Sequence, residues 1–228
     1  GMIFNSVPEM QRANRLYDLD DVEQICMGIG MDTSISGDGA AFREKYGITD
    51  PYLIYAGRKD SGKNVHTLLQ YFAEYKKRNP EDPLQLVLIG GGTIAIPDSV
   101  KDCVHDLGYV SQQDKYDALQ GALFLCQPSK NESFSLVIME SWLCGRPVLV
   151  HSACAVTKDF ARQAEGGLYF NSYFEFEGCV QWLEQHPAEA EQLGQNGRQF
   201  VLANFDWNVV TKKYLAFFKK LIEEGDMQ

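Results

Sequence analysis

Short apolar runs alternate with longer amphipathic segments through most of the chain. The runs have the length of buried strands, and the segments between them have the periodicity of helices. The pattern predicts strands at Tyr52–Ala56, Leu84–Ile89, Val104–Leu107, Ala122–Cys126, Pro147–Val150 and Gly167–Phe170. It predicts helices at Lys63–Arg78, Gln112–Gln120, Phe134–Cys144, Thr157–Ala164 and Ser172–Gln185. This alternation indicates an α/β domain, a parallel sheet with helices on both faces that binds ligands at the carboxyl ends of its strands.

The two ends of the chain depart from this alternation. Ser6 and Glu9 form a capping-box pattern, which predicts a helix that runs to about Tyr17. Further elements are expected as a strand at Ile25–Met27, a short helix at Asp38–Tyr46 and two helices between Pro187 and Glu224, the second starting near Asp206. We therefore expect one domain at residues 33–228. Residues 1–32 are interpreted as an interdomain connector, with a first glycine that is typical of a cleaved tag.

Two carboxylates mark the predicted helix at Phe134–Cys144. Its apolar residues surround the whole helix, which is typical of a buried helix, yet Glu140 lies in its middle. Glu132 lies eight residues earlier, at the start of the same helix. A buried carboxylate needs a partner. Two interpretations stay open: Glu132 stabilises the helix dipole while Glu140 bonds a core arginine, or the pair forms a functional site.

The loop after the first strand of the regular region is basic in an acidic protein. Arg58, Lys59 and Lys63 crowd the start of a helix, where the helix dipole opposes positive charge. A bound anion would resolve that conflict. The alternative is a solvated loop with ordinary surface lysines, and we expect that of Lys59 more than of Arg58 and Lys63.

Other nucleotide-binding patterns compete with this interpretation. Gly57 to Lys63 fits most of a Walker A motif, but Asn64 stands where that motif needs a hydroxyl. The glycines at 90–92, together with Ala95, satisfy a dinucleotide-binding fingerprint, although Pro97 lies where its helix should run. A P-loop-type NTPase and a nicotinamide-dependent oxidoreductase therefore remain alternatives. The Asp18-Leu19-Asp20 triplet follows a helix rather than a strand, so no metal site is predicted.

The spacing Glu132-x7-Glu140, followed by Gly145-x-Pro147, resembles the signature of the retaining glycosyltransferases of glycosyltransferase family 4. The basic loop is similar to that family's Gly-Arg-x4-Lys segment. The resemblance implies a GT-B fold, of which this chain would be the Rossmann-like, donor-binding C-terminal half, without the N-terminal acceptor domain. The chain departs from the family at residues 132–135, which read Glu-Ser-Phe-Ser instead of Glu-Gly-Phe-Gly.

The resemblance implies a role for each matching residue. Glu132 would face the donor sugar as the catalytic residue, and Glu140 would bind the ribose hydroxyls. Arg58 and Lys63 would hold the diphosphate. The remaining donor-binding residues that it implies are Gly57, Gly90, Tyr109, Val110, Ser111, Phe134, Ser135 and Leu136. It implies hexosyl transfer from a nucleotide-sugar, as in polysaccharide biosynthesis, with no metal and no other cofactor. The contacts of His151 and of residues 152–154 stay open.

Composition and net charge limit the classes of partner that the chain can bind. A net charge of −10 and an estimated pI of 4.9 argue against a nucleic-acid surface. No apolar run approaches the length of a membrane span, and none of the six cysteines forms a Cys-x2-Cys pair. We expect a cytoplasmic protein, free or held peripherally at a membrane, whose missing half binds a glycan, lipid or small-molecule acceptor. We also expect self-association through apolar surface exposed between Phe205 and Phe218.

Overall fold

The computed structural model of the chain describes residues 1–225, so the last three residues of the predicted domain lie outside it. Its strands are β1 (Met2–Phe4), β2 (Gln24–Cys26), β3 (Tyr52–Ala56), β4 (Gln85–Ile89), β5 (Val104–Gly108), β6 (Leu125–Gln127), β7 (Val148–His151) and β8 (Gly167–Phe170). Its helices are α1 (Val7–Leu16), α2 (Gly39–Tyr46), α3 (Val65–Arg78), α4 (Gln112–Gly121), α5 (Leu136–Leu143), α6 (Ala155–Gln163), α7 (Tyr173–Gln185), α8 (Pro187–Phe205) and α9 (Trp207–Gly225).

Six strands form one parallel sheet in the order β5-β4-β3-β6-β7-β8. Side chains of β3 alternate between two cores, because successive strand residues point to opposite faces. Ile54 belongs to a core that includes residues of α2, α4, α5, α6 and α8, whereas Leu53 and Tyr55 belong to a core that includes residues of α3 and α7. The prediction of a parallel α/β sheet covered on both faces is confirmed.

Strand β6 begins at Leu125 rather than Ala122, and α6 begins at Ala155 rather than Thr157. Three further differences from the prediction follow the carboxyl ends of strands. Helix α3 begins at Val65 rather than Lys63, because Asn64 adopts the left-handed conformation (φ 58°). Helix α5 begins at Leu136 rather than Phe134, because Ser135 is also left-handed (φ 73°). After β4, a 3₁₀ segment at Asp98–Cys103 replaces a crossover α-helix, consistent with the position of Pro97.

The C-terminal end of α5 follows its sequence signal. Gly145 is left-handed (φ 75°), and its amide donates to the Trp142 carbonyl at 2.8 Å. The Arg146 amide donates to the Ser141 carbonyl at 2.9 Å, which completes a Schellman motif. The motif ends the helix and directs the chain into β7.

The ends of the chain form a small unit that the sequence pattern only partly showed. Strand β1, which was not predicted, pairs in parallel with β2, and α1 connects them. Met27 after β2 packs with Val210 and Phe217 of α9 in a separate small core. Phe205 is buried, contrary to expectation, whereas Trp207, Leu215, Phe218 and Ile222 are exposed. Whether that exposed surface drives self-association stays a prediction.

The helices and cysteines of the described residues bear on membrane insertion and thiol chemistry. No helix there combines the length and the apolar character needed to span a bilayer. All six cysteines are free thiols. Burial raises the pKa of the Cys144 thiol to about 12 and that of Cys179 to about 11, so both are protonated near neutral pH.

Candidate functional site

A cavity of about 500 Å³ lies at the carboxyl ends of β3, β4 and β5, against the N-terminal parts of α4 and α5. This is where ligands bind in open parallel sheets. The predicted residues that line it are Gly57, Arg58, Gly90, Tyr109, Val110, Ser111, Leu136 and Glu140. It is also lined by residues that were not predicted to bind the donor, namely Ala56, Ile89, Gly91, Gln112, Lys115 and Val137. Lys63, Glu132, Phe134 and Ser135 are not in the lining.

Lys59 holds the floor of this cavity together, contrary to the expectation that it is a solvated surface lysine. Its side chain is fully buried, and its ammonium donates to the Gly90 carbonyl at 2.6 Å and to Asp106 Oδ1 at 2.7 Å. Its amide donates to the Gly91 carbonyl at 2.7 Å. Lys59 therefore links the loops after β3 and β4 to strand β5. Nothing in the sequence of the basic loop distinguishes Lys59 from the other two cations, Arg58 and Lys63.

Close backbone approach explains one glycine of the cavity floor. Gly90 has a φ of 114°, and a Cβ atom there would lie 2.2 Å from the Gly57 carbonyl oxygen. Only glycine lets the β3 and β4 loops meet this closely. The turn is followed by a 3₁₀ segment rather than by the helix of a dinucleotide-binding unit.

Arg58 and Lys63, the two predicted diphosphate ligands, differ in how they are held. The Arg58 side chain is 74% exposed, and its Nε lies 3.5 Å from Asp60 Oδ2. The Lys63 side chain is 24% exposed, and its ammonium donates to both oxygens of Glu132, at 2.8 and 3.0 Å. Arg58 can thus turn toward a ligand at little cost, whereas Lys63 already has an anionic partner.

Backbone contacts fix the segment that carries Lys63. The Lys63 amide donates to Asp60 Oδ1 at 3.1 Å. The Asn64 side-chain amide donates to the Pro128 carbonyl at 2.9 Å, which joins this segment to the loop before α5. Asn64 therefore has a structural role at the position where a Walker A motif would place a magnesium-binding hydroxyl.

Glu140 has a lysine partner rather than the core arginine considered from the sequence. Lys115 Nζ lies 2.5 Å from Glu140 Oε1, and the two side chains are 27% and 12% exposed. Both residues line the cavity. Lys115 lies one helical turn after Ser111, on the side of α4 that faces Glu140. The sequence signal for it is weak, because a lone lysine in a polar helix is usually a surface residue.

The start of α5 offers free backbone donors. Its N-cap residue, Ser135, makes no capping hydrogen bond, and the buried Ser135 Oγ has no partner. Leu136 is about half exposed and lines the cavity. The first amides of a helix have no partner within the helix, so this end can receive an anion.

The structure corrects the prediction that the side chain of Phe134 takes part in donor binding. It is buried, and its ring packs edge-on against Phe205 at 5.0 Å and Phe160 at 5.2 Å. Its side chain belongs to the core and anchors the loop between Glu132 and α5. Only its backbone remains available to a ligand.

The segment after β5 combines one exposed ring with a structural cap. The Tyr109 side chain is exposed at the mouth of the cavity, and a Cβ atom on Gly91 would lie 2.2 Å from the Tyr109 hydroxyl. Ser111 Oγ accepts from the Asp114 amide at 3.0 Å, which makes Ser111 the N-cap of α4. A ligand would therefore meet Ser111 through its backbone.

The sequence left the role of His151 open, and its surroundings are those of a residue that stabilises the fold. Its side chain is buried, and its Nδ1 accepts from the Ala153 amide at 3.1 Å. Burial, with a smaller effect from Lys130, lowers the pKa of His151, so the ring is neutral at neutral pH. No group of His, Cys, Asp or Glu side chains within the described residues is arranged to hold a metal ion.

The fold and the position of this cavity define the class. The chain has the fold of one half of a GT-B glycosyltransferase. Sucrose-phosphate synthase from Thermosynechococcus elongatus matches it with a TM-score of 0.78 at 22% identity, over 97% of this chain and 58% of that one. Anabaena HepE, solved with UDP-glucose, matches with a TM-score of 0.79 at 16% identity, over 96% of this chain and 63% of that one.

The family follows from the sequence comparison. The model of the family "Glycosyl transferases group 1" matches residues 39–200, well over half of the chain, and the chain belongs to this family. The resemblance found in the sequence is confirmed, and membership decides against the P-loop and nicotinamide alternatives. The chain therefore carries a glycosyltransferase domain.

Curated relatives are longer than this chain. D-inositol 3-phosphate glycosyltransferase of Rhodococcus erythropolis is 24% identical over 237 residues, which cover 96% of this chain and 53% of that protein. The corresponding enzyme of Saccharomonospora viridis is 30% identical over 166 residues, which cover 65% of this chain and 38% of that protein. Where the match covers most of this chain, as in the first of these relatives, the chain spans about half the length of the relative.

Proposed function

We propose that the chain binds the nucleotide-sugar donor of a retaining glycosyltransferase. The observation that carries the proposal is the arrangement around the cavity. Glu140 lies at one part of it, the free amides of α5 and the exposed Arg58 lie at another, and Lys63 with Glu132 lies outside the lining. A nucleoside, a diphosphate and a sugar can occupy these parts in that order.

The chemistry proposed for this site is electrostatic. When the bond between sugar and diphosphate breaks, negative charge builds on the leaving diphosphate. Arg58, Lys63 and the first amides of α5 would stabilise that charge. Glu132 would position the sugar ring and ease the positive charge that develops on it. Because the cations come from the protein, the proposal needs no divalent metal.

The proposal also covers the identity of the donor nucleotide and the need for a second domain in sugar transfer. UDP is the first nucleotide to test, because HepE was solved with UDP-glucose and Staphylococcus aureus TarM was solved with UDP. We propose that the isolated chain binds donor but transfers no sugar, because its six-stranded sheet corresponds to one half of the longer matched structures. The acceptor, a glycan, lipid or small molecule, would bind to a second domain.

Substitution of the two cations tests the diphosphate assignment. Arg58→Ala and Lys63→Ala should each weaken UDP binding by about 1.5–3 kcal/mol, the range for hydrogen bonds to charged groups. Uridine binding should hardly change, because uridine lacks the diphosphate. Isothermal titration calorimetry measures both ligands. Lys101→Ala is the matched control, because Lys101 pairs with Asp98 on the surface outside the cavity lining. Equal losses for uridine and UDP would refute the assignment.

A further inference from the structure

The Lys63–Glu132 ion pair joins the two parts of the site that the proposed function assigns to diphosphate and sugar. Both carboxylate oxygens of Glu132 accept from the Lys63 ammonium, at 2.8 and 3.0 Å. The Glu132 side chain is 10% exposed, so it has little access to water as a replacement partner. Any ligand that attracts Lys63 must therefore take it from a shielded carboxylate.

The backbone leaves only the side chain of Lys63 free to change partner. Its amide is held by Asp60, and the Ser129 hydroxyl approaches its carbonyl oxygen at 3.5 Å. The neighbouring Asn64 is tied to the Pro128 carbonyl. A partner change therefore occurs by rotation of the lysine side chain rather than by movement of the loop.

We infer that Lys63 and Glu132 form an exchange pair that makes the site prefer a sugar-bearing nucleotide over the bare diphosphate. This inference rests on the proposed function. When a diphosphate draws Lys63 away, Glu132 loses its partner in a poorly hydrated place, which is costly. The hydroxyls of a donor sugar replace the lost hydrogen bonds of Glu132. A bare nucleoside diphosphate, the product of transfer, cannot replace them.

The consequence is a difference between donor and product. Donor binding satisfies both members of the pair, whereas product binding satisfies Lys63 alone and leaves a carboxylate facing the diphosphate. Loss of the sugar thus weakens the hold on the nucleotide and favours product release. Arg58 takes no part in the exchange, because its Asp60 contact is long and exposed.

The test is a double-mutant cycle that uses UDP and UDP-glucose as probes. Glu132→Gln removes the charge but keeps the size of the side chain. It should strengthen UDP binding about tenfold (about 1.4 kcal/mol) and should leave UDP-glucose binding unchanged or weaker. The difference in affinity between UDP-glucose and UDP should therefore be smaller in this variant than in the wild type. In a Lys63→Met background, no pair has to break, so Glu132→Gln should strengthen UDP binding clearly less than it does in the wild type.

Calorimetry of the four proteins separates the outcomes. An equal or larger gain in the Lys63→Met background would show simple repulsion between Glu132 and the diphosphate and would overturn the exchange. Unchanged or weaker UDP binding by Glu132→Gln would overturn it too. Wild-type protein that binds neither probe would instead refute the proposed function for uridine nucleotides. Glu132→Ala replaces Glu132→Gln if the latter does not fold. Glu23→Gln, which breaks the Lys220 pair away from the cavity lining, should change neither affinity.

Discussion

At the scale of single residues, three lysines around the site have acidic partners that lie far away in sequence. Lys59 pairs with Asp106, Lys63 with Glu132, and Lys115 with Glu140. Their exposure differs, from the fully buried side chain of Lys59 to the partly exposed Lys63 and Lys115. Burial therefore separates a lysine that holds the fold from two that a ligand can reach.

The role of Lys59 gives a stability prediction. Lys59→Met should lower the free energy of unfolding by about 2 kcal/mol, within the range for leaving buried groups without a hydrogen-bond partner, because only the lysine of this pair is buried. The reason is that Asp106 and the Gly90 carbonyl both lose their buried donor. Urea unfolding followed by circular dichroism measures the change. Lys101→Met, which removes an exposed lysine with an exposed partner, should change stability by less than about 1 kcal/mol. Similar losses for the two variants would contradict the structural role of Lys59.

The sequence could predict that the cations of the basic loop belong to a functional site, but it could not predict which acidic residues they pair with. The sequence showed three cations where the helix dipole disfavours them, and it showed two carboxylates eight residues apart. It could not show that Lys59 turns inward to meet Asp106, 47 positions away. Such pairings depend on the order of strands in the sheet, which brings β3, β4 and β5 side by side.

At the scale of elements, the start of α5 is where local preference and structure disagree. Ser135 adopts a left-handed conformation that favours glycine, and its buried hydroxyl has no partner. The hydrophobic pattern predicted the helix, and Gly145 predicted its end. The exact start depended on a backbone angle that serine does not indicate.

This conflict predicts a stabilising substitution. Ser135→Gly should raise the free energy of unfolding by about 1 kcal/mol, because glycine has no penalty in the left-handed region and leaves no buried hydroxyl without a partner. Urea unfolding again provides the measurement. Ser133→Gly is the matched control, because Ser133 is exposed and its φ is not positive, so no gain is expected. A loss of stability in Ser135→Gly, or an equal effect in both variants, would show that Ser135 is not strained.

At the scale of the whole molecule, the described residues 1–225 form one six-stranded sheet and one small pair of strands. The order of strands and helices was readable from the sequence, because the central strands β3, β4 and β7 are buried apolar runs and helical segments separate the strands. Strand β1 was not readable, because it is only three residues long and two of them are exposed. The small core between β2 and α9 also escaped prediction, because it joins opposite ends of the chain.

Nucleotide binding by the intact chain tests the central claim most directly. Isothermal titration calorimetry with UDP, GDP and ADP in EDTA, and with NAD and ATP–magnesium for comparison, should show one site per chain for at least one nucleoside diphosphate. That binding should not depend on magnesium, because Arg58, Lys63 and the start of α5 supply the positive charge. Binding of NAD or of ATP–magnesium without any response to nucleoside diphosphates would contradict the account. So would diphosphate binding that EDTA abolishes and magnesium restores.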